Sequence, residues 1–120
     1  MGVENNEAIL ATTWNDEVVE KTRSWIKSVD ENLQQLFVIV PCICNGKHTI
    51  LLAPSGSKKG WPEDDRVTEL RRNFIAYLNS FNYGDGSSPF DWVEVGWGEF
   101  GQKVLRGNNI NCYSDAEYAE

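Results

Sequence analysis

The chain has 120 residues and a net charge of −7, with 41% apolar and 24% charged residues. That length bounds one domain able to bury a core without metals or disulfides, and the composition is globular rather than disordered. The acidic balance disfavours nonspecific nucleic-acid binding, and the longest mostly apolar run, residues 36–44, is far too short to span a bilayer.

Residues 1–6 read as a loose end. They are followed by a short strand from Glu7 to Trp14 with Ile9 and Leu10 as its apolar content. The opening residues carry Glu4 and Glu7 and no apolar core, so they do not read as a secretory signal. Three cysteines cannot all pair within the chain, and the expected location is a reducing cytoplasm with no membrane role. Thr13 or Asn15 can cap a helix that opens with Asp16 and Glu17, where acids favour the helix dipole. Val18, Thr22, Trp25, Ile26 and Val29 recur at helical spacing, which predicts a helix ending near Asp30.

Residues 36–54 predict two apolar strands joined by Asn45-Gly46, the pair that suits a two-residue hairpin turn. In that register Cys44 faces Lys47, Ile43 faces His48 and Cys42 faces Thr49. Val38, Val40, Leu51 and Ala53 then share one face, and Phe37, Ile39, Ile50 and Leu52 the other. Both faces are apolar, so both are expected to be covered. Helices would cover one, and the aromatic-rich C-terminal third or a partner the other. Cys42, Cys44, His48 and Cys112 are the residue types of a structural zinc site. The alternation of strand side chains nevertheless sets His48 on the face opposite Cys42 and Cys44, so no metal site is expected. The same separation denies either cysteine a histidine base.

Ser55 to Gly60 is a flexible, glycine-containing loop. It lacks the spacing of a phosphate loop, and the helix after it opens with Glu63, Asp64 and Asp65, which repel phosphate. Pro62 suits the first turn of that helix, predicted over Glu63 to Ser80. Val67, Leu70, Phe74, Leu78 and Phe81 form its apolar stripe with Tyr77 alongside. After a polar loop at residues 82–89 comes a strand from Phe90 to Val95, with Val93 and Val95 on one side and Phe90 and Trp92 on the other. Gly96 and Gly98 are expected to interrupt it. Residues 99–106 read as a short helix burying Phe100 and Val104, or as another bent strand. Ile110 to Tyr113 is a candidate edge strand, and residues 114–120 a loose end. Asp91 and Glu94 point to opposite strand faces, against a divalent-metal pair between them.

The expected fold is α+β, a single domain over residues 1–120. Two amphipathic helices pack on a mainly antiparallel sheet built around a central β-hairpin. No cofactor is expected. Aromatics reach 12%, and five are tryptophan. Together with the acidic balance and the lack of a catalytic constellation, they suggest a small protein-binding module. It would be of an inhibitor or immunity type, acting on a basic partner. Candidate contact residues are Trp61, Trp92, Trp97 and Tyr83, with Asp85, Glu94 and Glu99 as charged rim. One alternative is a ligand-binding domain or enzyme with a pocket lined by Trp92, Trp97 and Tyr77, where Arg71 or Arg72 holds an anion. Another is a structural subunit that self-associates through exposed aromatics.

Overall fold

A strand-turn-helix start sets the pattern. β1 (Asn5–Thr13) gives way at Asn15, whose side chain accepts a hydrogen bond from the Val18 amide at 3.2 Å and so caps α1 (Asp16–Lys27). The structure, a computed structural model, describes residues 5–109. A short α2 (Glu31–Gln34), which the periodicity did not signal, leads into β2 (Phe37–Pro41) and β3 (His48–Leu52). The long α3 (Pro62–Asn79), with its proline in the first turn, crosses to β4 (Asp91–Gly98), which turns back into β5 (Gly101–Gly107). The fold is the expected α+β arrangement: three helices packed with a five-stranded antiparallel sheet that includes the hairpin. The strand order is β2-β3-β1-β4-β5, with β1 in the middle and β2 and β5 at the edges.

Register decides which residues meet the helices. Ile9 lies opposite Leu52 on one side and Glu94 on the other, and Ala11 lies opposite Ile50 and Trp92. These alternate residues face α1 and α3, where Val18, Leu70, Phe74 and Leu78 complete the buried cluster. A chain of rings runs through this layer. Trp25 stacks on Tyr77 at 4.8 Å between centroids and meets Phe37 edge-on, and Tyr77, Phe81 and Phe90 continue the line. The Tyr77 and Thr22 hydroxyls lie 3.2 Å apart.

Two expectations need correction. The hairpin loop is longer than two residues: Pro41 pairs with His48, the Cys42 amide donates to the Lys47 carbonyl, and Ile43 to Gly46 form the loop. Asn45 and Gly46 do take positive φ, 71° and 67°. β1 stops supporting β3 at the Thr13–His48 pair, and a two-stranded ribbon beyond that point has little to hold it. The slip is by two residues, so every side chain keeps its expected face. Against expectation, β4 runs on through Gly96 to Gly98; of the two readings of residues 99–106 the strand is the one seen, over Gly101–Gly107, and Phe100 and Val104 are exposed, not buried as the helix required. The suggested strand at Ile110 to Tyr113, and Cys112 with it, lies outside the described residues. No helix among the described residues is long and apolar enough to cross a membrane.

Phe74 is fully buried amid three rings, so Phe74→Ala is expected to cost about 3–5 kcal/mol in urea unfolding. Phe100→Ala, at an exposed turn, is expected to change stability by under about 0.5 kcal/mol.

Candidate functional site

The helices cover only one face of the sheet. On the other, a row of side chains crosses the strands as Val38, Leu51, Leu10 and Val93 and ends at Gly107 on β5. A neighbouring row holds Ala8, Val95 and Val104, and Trp97 stands beyond it opposite Gln102. The row on the other side is polar: Thr49, Thr12 and Asp91 follow Val40. Val38, Val40 and Val104 are each about half exposed, at 46%, 51% and 51%. No described residue covers this face. The β4–β5 segment, one of the two covers expected from the sequence, instead lies in the same sheet and extends the face.

An antiparallel sheet with one solvated face normally turns polar side chains outward. Here half of the outward residues named are valine or leucine, and all but Val40 are grouped in the two adjoining rows. Gly107 adds relief: it has no side chain beside Val93, and a Cβ there would meet the Trp92 carbonyl oxygen at 3.0 Å. The result is a shallow groove of about 670 Å³ lined by Leu10, Thr12, Asp91, Val93, Val104 and Asn108, with Lys47 at one end. The Lys47 ammonium sits 5.5 Å above the exposed Trp14 ring.

The helix side carries the second unusual feature. Glu94 is buried in β4 next to the apolar core. Its carboxylate accepts a 2.6 Å hydrogen bond from Arg106 Nε, and Arg71 Nε lies 3.5 Å away. Arg71, itself buried in α3, also reaches Glu7 at 3.2 Å and donates to Thr68 Oγ1. A bulge makes this possible. β5 pairs Val104 with Val95 but Arg106 with Glu94, leaving Leu105 as an extra residue. The bulge turns Arg106 towards the helix side, where regular alternation would place it on the open face. The hydrogen bond that Arg106 donates to Glu94 raises its guanidinium above the ordinary value, with burial opposing. Two carboxylates and two guanidiniums form a closed, neutral set. Glu94 Oε1 is held by the Arg106 hydrogen bond, while its buried Oε2 has no hydrogen bond and only the Arg71 guanidinium near it.

Several candidate residues are relocated by this arrangement. Trp92 is a core residue whose indole N–H donates to Asn79 Oδ1 at 3.2 Å, and Glu94 is buried, so neither belongs to a free contact surface. Arg71 is not an anion holder on a solvated helix face. Arg72 is exposed, with Glu69 4.0 Å away. Trp92 and Trp97 lie on opposite faces of the sheet and Tyr77 belongs to the ring stack, so these three line no common pocket. Tyr83 and Asp85 lie beyond the C-terminus of α3. Tyr83 accepts a hydrogen bond from Asn15, and Asp85 accepts from Ser87, which lowers its carboxyl below the ordinary range. Trp61 stands at the other end of the same 18-residue helix, with the Lys58 ammonium 5.7 Å from its ring. Only Trp97 and the adjoining Glu99 border the open face.

Cys42 and Cys44 are exposed in the hairpin loop, while His48 faces the helices with Nδ1 4.0 Å from the Asp16 carboxylate. Among the described residues no group of three His, Cys, Asp or Glu side chains could hold a metal ion. The open-face residues missing from the candidate set include Val38, Leu51, Leu10, Val93, Val95 and Val104. Their signal was the outward half of each alternating strand.

Removing Arg71 would leave buried Glu94 with only the half-exposed Arg106 and would leave Glu7 without its guanidinium, so Arg71→Leu is expected to cost about 3 kcal/mol by urea unfolding. Arg106→Leu is expected to cost less, since the Arg106 side chain is 52% exposed and Arg71 remains. Burial raises the Tyr77 phenol above 10.0, with the Thr22 hydrogen bond acting against it. Its folded value thus exceeds the unfolded one. The stability held by the neutral phenol is complete below about pH 10 and is lost as pH rises through the folded value. In an alkaline absorbance titration, Tyr77→Phe is expected to remove a phenol that ionises later than a free tyrosine.

No family model matches the chain, and no curated protein or solved structure matches it.

Proposed function

We propose that the chain is a protein-binding module whose contact surface is the open face of the sheet. The observation that carries this reading is the apolar outward row Val38, Leu51, Leu10 and Val93, with Val38 46% and Leu10 38% exposed and Leu51 and Val93 partly buried, where such a sheet would ordinarily be polar. Burying such a face against another protein removes apolar area from water, with charge confined among the described residues to Asp91 and Lys47 at one end and Glu99 at the other. Trp97, with Glu99 beside it, extends the contact at the other end.

The inhibitor-type role against a basic partner rests on net charge. The described residues hold fourteen acids and eleven bases, a net of −3 out of the −7. Glu4, Asp115, Glu117 and Glu120 supply the rest. Electrostatic steering of a basic partner is thus shared with the two ends of the chain, and the contact itself is apolar. A cytoplasmic location belongs to the same proposal.

The test places a photo-crosslinking amino acid at position 40 or 104 on the open face, or at position 20 on α1, in cells making the protein. Polypeptide adducts are expected from positions 40 and 104 and not from position 20. No adduct from either open-face position would refute the reading.

A further inference from the structure

Resting on the open-face reading, we infer that the occupant of this face is a second copy of the same chain. Two sheets would pack face to face with the helices outside, a four-layer α/β/β/α dimer.

Self-complementarity is the first argument. A two-fold interface brings one patch against itself, which suits an uncharged surface. Among the described residues the two charges that line the groove, Lys47 and Asp91, are of opposite sign, and Glu99 stands at the far border beside Trp97.

The charge distribution is the second. The exposed acids of α1 and α3, among them Glu17, Glu20, Glu63 and Glu69, lie in the helix layer. Layers stack about 10 Å apart, so the two helix layers of such a dimer stand about 30 Å from each other. That is several screening lengths at physiological salt, where the length is about 8 Å. The acids of the helix layers therefore do little to oppose this arrangement.

The sheet edges supply the third. Hydrogen bonds at Leu36–Ala53 and Cys42–Lys47 show that even-numbered residues of β2 bond to β3. Phe37, Ile39 and Pro41 then turn their backbone outward, and Pro41 has no N–H to offer. β5 carries Lys103, Arg106 and the bulge at Leu105. Both edges thus bear features that discourage strand addition, and the face is the surface left unguarded.

Area sets the strength. Five strands about 4.8 Å apart and about 7 residues long present roughly 500 Å² per copy. Two copies bury about 1,000 Å², the lower limit for a specific interface, so association is weak and concentration-dependent.

Sedimentation of the full chain between about 1 μM and about 100 μM tests this. The expected result is a shift from monomer to dimer. Val38→Glu combined with Val104→Glu should abolish it, weakening association at least about tenfold with an unchanged far-ultraviolet circular dichroism spectrum. Arg72→Glu, on the helix layer, should leave it intact. A monomer at every concentration overturns the inference, and so does a dimer indifferent to the paired glutamates. The adducts from position 40 distinguish the two proposals. A product of twice the chain mass supports the dimer. A foreign polypeptide on a monomeric chain overturns the dimer and leaves the protein-binding reading standing. A link to residues 110–120 of the same chain overturns both.

Discussion

A slip of one residue between β1 and either neighbour would exchange the two faces of the sheet. Ile9 and Ala11 would turn to solvent, and Leu10 and Thr12 would enter the ring-lined layer under α1 and α3. The register of β1 is held from both sides, by β3 and by β4, and both partners agree on the same inward residues. Everything else follows from that agreement. It sets Trp92 under Asn79, Ile50 and Leu52 against the helices, and Glu94 within reach of Arg71.

The buried carboxylate is the one place where the inward row departs from apolar chemistry. A charge beside Ile9 is tolerable because two guanidiniums arrive from different elements, one from α3 and one from β5. The second arrives only because the strand holds one residue too many. The bulge and the ion set are therefore one device, and they tie the edge strand to the helix layer across the sheet. The same bulge roughens the outer edge, so a feature that serves the interior also guards the exterior.

The alternation along β1, β2, β3 and β4 is legible in the sequence, and so is the stripe of α3, because burial imposes periods of two and of three to four. The alternation alone groups Val38 with Leu51 and sets Val93 opposite Trp92, but only the pairing of both strands with β1 puts all three on one face. The length of the hairpin loop was not legible, since Asn45-Gly46 accepts positive φ in a longer loop as readily as in a short one. β5 was ambiguous because Gly101 to Gly107 alternates poorly, and its extra residue breaks the period. Trp92 and Glu94 were misplaced for a related reason. A tryptophan and a glutamate suggest a surface by composition, and only partners distant in sequence, Asn79, Arg71 and Arg106, account for their burial. Trp97 and Glu99 do border the open face.

The position of β1 also has a kinetic side. Of the described strands, β1 waits longest in chain length for its neighbours, since β3 and β4 lie some 40 and 85 residues downstream. Such distant pairing makes closure of the sheet slow relative to formation of α1 or α3. Until β4 arrives, the alternating apolar face of β1 is without one of its two flanking strands, and the nascent chain is at its most prone to association during that interval.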